Sequence, residues 1–156
     1  MTTQFTHIAV PVDFGPSSQA ALEVAIDLAQ KYGAKLTLLH VYEIPTYGYV
    51  GSSYNVMDLL TPVEDAARAQ MKDALAALQK RVPGADGLLR RGDAASEILT
   101  AIGEAKADLV VMGTHGRHGV GHVVFGSVAE KVVRSARVPV LTVRGATPQP
   151  PAPPPK

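Results

Sequence analysis

Three glycines and a serine define the chemistry this chain could perform. Gly113, Gly116, Gly126 and Ser127 fall in the order G-x2-G-x9-G-S within DLVVMGTHGRHGVGHVVFGSVAEKVV, residues 108–133. The run Leu109 to Met112 just before them is short, apolar and rich in β-branched residues, as a buried strand requires. After Ser127 the spacing turns helical, with Val128, Val132 and Val133 on one side and Glu130, Lys131 and Arg134 on the other. Strand, glycine loop and helix N-terminus in succession suit a phosphate. Glycine lets backbone approach an anion closely and reach positive φ. The first helical turn adds unpaired N–H groups and the positive end of the dipole. This is not a P-loop, because no Gly-Lys-Ser/Thr closes it, nor a dinucleotide fingerprint, whose glycines are more tightly spaced. A ligand-free connection is the alternative reading, but connections that only turn seldom exceed about six residues.

Other polar residues gather around the loop. Arg117 can pair with a β- or γ-phosphate through its charge-assisted fork. His115, between Gly113 and Gly116, suits a phosphate or ribose contact, and Ser127 a phosphate-bound Mg²⁺. His115, His118 and His122 could instead form a metal cluster, since imidazole suits zinc, copper or nickel. Against that, they occupy a glycine-rich loop with no fixed face, and no cysteine or nearby carboxylate completes a shell. Asp13 stands where a first strand meets its helix, the edge at which open α/β sheets bind ligands. It can equally be an Asx turn or helix-entry cap.

The elements that must position these residues alternate along the chain. His7 to Val12 reads as a strand, and Ser17 or Ser18 as the cap of a helix running to about Tyr32, with Gly33 past its end. Ala21, Leu22, Ala25, Leu28 and Ala29 form its apolar face. Lys35 to Val41 is a second strand. Residues 42–60 form a long irregular connection holding Tyr42, Tyr47, Tyr49 and Tyr54, a lid, a partner surface or simple packing. Thr61-Pro62-Val63-Glu64 has the form of a capping box, opening a second helix to about Arg81 with Val63, Ala67, Met71, Ala74, Leu75 and Leu78 inward. A weak edge strand follows near Gly87 to Arg91, then a helix over Ala94 to Ala105 with Ile98, Leu99 and Ile102 on its apolar side. Val138 to Val143 gives the fifth strand, with Pro139 near its start. The tail from Thr147 to Lys156 is proline-rich and is expected to be extended and disordered outside a single domain over 1–146.

The loop pattern, with the Val-Val-Met strand before it, Asp13, and Gly92-Asp93 followed by Ser96-Glu97-Ile98, resembles the universal stress protein family in its ATP-binding branch. The resemblance covers residues 6–144. It implies a Rossmann-like α/β domain of the adenine nucleotide alpha hydrolase type, a five-stranded parallel sheet in the order 3-2-1-4-5 with helices on both faces. It also implies a nucleotide site: Pro11, Val12, Asp13, Val41, Met112, Gly113, His115, Gly116, Arg117, Gly126, Ser127 and Val128. In that site Val12 and Val41 line the adenine slot and Asp13 meets the ribose or base. The ligand would be ATP, or AMP or ADP, with Mg²⁺ or Mn²⁺. Members of the family commonly dimerise through the last strand, here 138–143. Gly15 departs from the pattern, since relatives often carry serine there.

Composition narrows the rest. A chain of 156 residues with formal net charge +1 has room for a core and no global field suited to nucleic acid or an anionic membrane. Without cysteine there is no disulfide framework. MTTQFTH lacks the build of a signal peptide, and no uncharged apolar run approaches the ~20 residues of a membrane span. The expectation is a cytoplasmic protein. Catalysis of ATP hydrolysis needs a base or positioned water, and Asp13 would be committed to the nucleoside. A sensor or regulatory module with at most slow hydrolysis is therefore expected. An ATPase or phosphotransferase completed by a partner, and a scaffold without nucleotide, are the alternatives.

Overall fold

The computed structural model describes residues 4–44, 56–115 and 125–145. Strands and helices alternate as β1 His7–Pro11, α1 Pro16–Tyr32, β2 Lys35–Tyr42, α2 Val56–Arg81, β3 Asp86–Arg91, α3 Ala94–Ala105, β4 Leu109–Gly113, α4 Ser127–Ser135 and β5 Val140–Val143. The strands pair in parallel in the order β3-β2-β1-β4-β5. This is the doubly wound arrangement the sequence led us to expect, with its reversal between β1 and β4.

Because successive side chains on a strand point to opposite faces, the sheet divides the core in two. Ile8, Val10, Leu36, Leu38, Leu109 and Val111 face α1 and α2, meeting Ala21, Ala25, Ala29, Met71 and Leu78. Their neighbours Ala9, Leu39, Val110 and Met112 face α3 and α4, meeting Ile98, Ile102, Ala129 and Val132. Strands covered on both faces read as unbroken apolar runs, which is why β1 and β4 stand out in the sequence.

Several local expectations fail for identifiable reasons. Neither Ser17 nor Ser18 caps α1. Gly15 occupies the N-cap with Pro16 behind it, and both serines are buried in the first turn. The capping box at Thr61 does not form, because α2 starts five residues earlier and carries Pro62 in its interior. Thr61 Oγ1 donates back to the Met57 carbonyl at 3.1 Å, and Glu64 pairs with Arg68 one turn on. Val63 and Val133, expected inward, are 36% and 43% exposed. Ile26, by contrast, is buried. The β5 ladder begins at Val140. Pro139 stays outside it, lacking an N–H, yet its carbonyl still accepts from Val110 at 3.0 Å.

Candidate nucleotide crevice

The β1–α1 junction is a tight polar turn. Asp13 Oδ1 accepts from the Gly15 N–H at 2.9 Å and from Ser18 Oγ at 2.8 Å, while the Asp13 N–H donates to Ser18 Oγ at 3.2 Å. The Asx-turn reading of Asp13 is thus correct for one carboxylate oxygen. The other oxygen, Oδ2, makes no hydrogen bond or ion pair among the described residues. Between Asp13 and Gly15, Phe14 adopts φ 62°, a left-handed conformation that costs a side-chain-bearing residue about 1–2 kcal/mol. What holds it there is long-range. The Phe14 ring packs on His40 at a centroid distance of 4.6 Å, and His40 Nδ1–H donates to the Val12 carbonyl at 2.7 Å. The Val12 N–H is likewise engaged, donating to the Leu39 carbonyl at 2.8 Å.

One strand over, β4 ends at the glycine that starts the loop. Gly113 lies against α1: a Cβ added to it would sit 2.5 Å from Ser17 Oγ and 2.7 Å from the Ser17 carbonyl carbon. Buried Thr114 then anchors both ends of the loop. Its N–H donates to the Val143 carbonyl of β5 at 3.1 Å, and its carbonyl accepts from the Gly126 N–H at 2.6 Å. Thr114 Oγ1 lies 2.8 Å from His115 Nδ1, and the His115 N–H donates to Ser17 Oγ at 3.3 Å.

The helix entries on this edge differ in one respect. α3 is capped by Asp93, whose Oδ2 accepts from the Ser96 N–H at 3.0 Å and also from Ser96 Oγ; those hydrogen bonds, with Lys131 at 3.4 Å, hold its carboxyl below the usual range. α4 has Gly126 at its N-cap and α1 has Gly15, and neither receives a side-chain cap. The first-turn N–H groups of a helix need partners from outside its own ladder. Among the helices whose N-cap is described, the two without a side-chain cap, α1 and α4, follow β1 and β4, the strands on either side of the reversal.

The expected site residues group as follows. Asp13 and Gly113 end adjacent strands, and Gly126 closes the loop at Thr114. Val41, Met112 and Val128 share the α3/α4 side of the core, whereas Val12 packs with the α1/α2 side, so the two expected walls of the adenine slot belong to different layers. Pro11 is buried at the end of β1, and Ser127 is exposed at the start of α4. Gly116, Arg117, His118 and His122 lie outside the described residues, as do Tyr47, Tyr49, Tyr54 and the proline-rich tail. Among the described residues no three His, Cys, Asp or Glu side chains form a group able to hold a metal. Sequence reasoning missed Phe14, Ser17, Ser18, His40 and Thr114. Only the two buried serines beside Pro16 left any local trace.

A five-stranded parallel sheet in this order, with its reversal between β1 and β4, is a Rossmann-like α/β fold, a class whose ligands bind outside the carboxyl ends of the strands at the reversal. Residues 4–144 match the model of the universal stress protein family, and the chain belongs to that family. It is 41% identical over 141 residues to a universal stress protein of Thermus aquaticus, covering 90% of this chain and 99% of that one. Universal stress protein UspA from Lactobacillus plantarum superposes with a TM-score of 0.80 at 26% identity, over 92% of this chain and 100% of the other. A universal stress protein solved in complex with cAMP has the same fold, with a TM-score of 0.67 at 22% identity, over 92% of this chain and 100% of that one. Among the described residues, no helix is long and apolar enough to cross a membrane.

Proposed function

We propose that this universal stress protein binds ATP in the crevice between the ends of β1 and β4 and acts as a nucleotide-dependent regulatory module. The observation that carries the reading is the uncapped start of α4 at Gly126, closing a glycine loop whose neck is pinned at Thr114. Such an entry presents amides to an anion. The phosphates lie along 113–127 with Arg117, His115 and the Gly126 and Ser127 amides, and Mg²⁺ or Mn²⁺ bridges Ser127 to them. Asp13 Oδ2 accepts from a ribose hydroxyl while Oδ1 keeps the turn. Support for an adenine nucleotide over another anion comes from the family and from its member in complex with cAMP.

Hydrolysis is slow at most, because half of the Asp13 carboxylate is already committed to Gly15 and Ser18. The protein works as a cytoplasmic homodimer joined through β5, the edge strand beyond β4. Native mass spectrometry of freshly purified protein tests the central claim. Retained ATP or ADP, displaced by added ATP analogue, is the expected result. A protein that carries no nucleotide and takes up none at millimolar ATP overturns it.

A further inference from the structure

A second polar cluster lies at the opposite end of the sheet, away from the crevice. His7 on β1 is in register with Lys35 on β2, and Thr37 on β2 with Asp86 on β3. Asp86 Oδ2 pairs with Lys35 Nζ at 2.8 Å, and Asp86 Oδ1 accepts from Thr37 Oγ1. Burial works to raise the Asp86 carboxyl, but the Lys35 and Thr37 hydrogen bonds outweigh it and leave the group below its ordinary value. Asp86 is therefore an ionised acceptor at neutral pH.

That assignment fixes the next one. A hydroxyl has one proton, and Thr37 gives it to Asp86, so at 2.7 Å Thr37 Oγ1 must accept from His7 Nε2. The neutral ring thus carries its proton on Nε2, and a second proton would go on Nδ1. Protonation would set a cation on the half-buried ring directly across from Lys35, and like charges facing each other across paired strands are destabilising.

We propose that His7 is a proton sensor built into the amino end of the sheet, where its protonation loosens the β1–β2–β3 entry without touching the nucleotide crevice. The groups facing it are Lys35 on β2, Asp86 on β3, Asp108 ahead of β4 and the Ala105 carbonyl at the end of α3. Burial first, then Lys35, push the imidazole below its ordinary value of 6.5; Asp86, Ala105 and Asp108 oppose them and lose. A histidine depressed in the folded state holds fewer protons than in the unfolded chain. Its contribution to stability is complete above 6.5 and is lost as pH falls through the folded value.

Two amides report the loosening. The Lys35 N–H donates to the Thr6 carbonyl and the Asp108 N–H to the His7 carbonyl, both at 2.9 Å. Hydrogen exchange, corrected for intrinsic rate, should show a loss of their protection between roughly pH 7 and pH 5. His7→Gln keeps an N–H donor for Thr37 but cannot titrate, and should abolish that fall. An NMR titration of the wild-type imidazole needs no variant and should give a midpoint below 6.5. A His7 midpoint at or above that value, or an unchanged pH response in a folded His7→Gln protein, overturns the proposal.

Discussion

The Thr114 carbonyl accepts the Gly126 N–H at 2.6 Å, drawing together the two ends of the glycine loop across 12 positions of chain. The loop therefore leaves and re-enters the fold at nearly one point. Gly126 is held there with φ −70° and ψ 160°, a conformation open to any residue. Its identity is consequently not required by its φ and ψ, and the proposed phosphate site gives a different reason for it, the close approach of backbone to an anion.

Gly116→Ala with Gly126→Ala should therefore abolish ATP binding while the protein still folds, with the N-cap change at Gly126 costing about 1 kcal/mol. Calorimetric titration beside a denaturant melt measures both. ATP affinity unchanged in the folded double variant would refute the phosphate assignment.

Gly113→Ala should behave in the opposite way. The new methyl meets the backbone of Ser17, which cannot rotate aside as a side chain would. The first turn of α1 has to move, and overpacking of this kind costs about 1–3 kcal/mol. A shift of the urea midpoint at constant slope is the readout, and wild-type stability would mean that α1 is free to retreat.

Chelation separates the cation's role from the base's. If Ser127 and the phosphates share Mg²⁺ or Mn²⁺, removing the metal should weaken ATP while AMP binding is nearly unaffected. Equal losses for both nucleotides, or stoichiometric zinc without nucleotide, would shift the assignment to the histidines of the loop.

Dimerisation through β5 can be tested at residues that do not support the core. Leu141 is 40% exposed on the edge strand and Val133 43% exposed on α4, whereas Val140 and Val143 pack inward. Exposed apolar edges invite pairing, so Leu141→Lys with Val133→Glu should give monomers that still bind nucleotide. Wild-type protein that sediments as a monomer at high micromolar concentration contradicts the dimer.

The sequence made the strands and the two ends of the loop readable because their signals are local. Leu109 to Met112 is apolar on both faces, α3 begins one residue after its Asp93 cap, and Gly126-Ser127 marks the start of α4. What could not be read depends on partners far along the chain. Phe14 tolerates its left-handed backbone with His40 packed against it, and His40 is turned by the Val12 carbonyl. Thr61 looked like a cap because Pro62 and Glu64 follow at the right offsets, but the preceding residues continue the helix and claim the threonine for Met57. Ser17 and Ser18 suggested a cap for a related reason. Their hydroxyls serve His115 and Asp13 instead.

The attachment of Asp108 to the start of β1 has a consequence for how the chain acquires its structure. Asp108 Oδ1 accepts from the His7 N–H at 3.0 Å, and Oδ2 from the N–H and hydroxyl of Thr6, at 2.8 and 2.7 Å, across 101 and 102 residues. On the ribosome, β1 can find β2 soon after both emerge, but its other edge must wait for β4. For that interval the most central strand of the finished sheet is an unpaired margin, and non-local pairing of this kind is slow and open to aggregation. Pulse-labelled hydrogen exchange during refolding should find the β2 amides protected before those of β4. The strand that is best covered in the native protein is thus one that carries an open edge while the protein is being made.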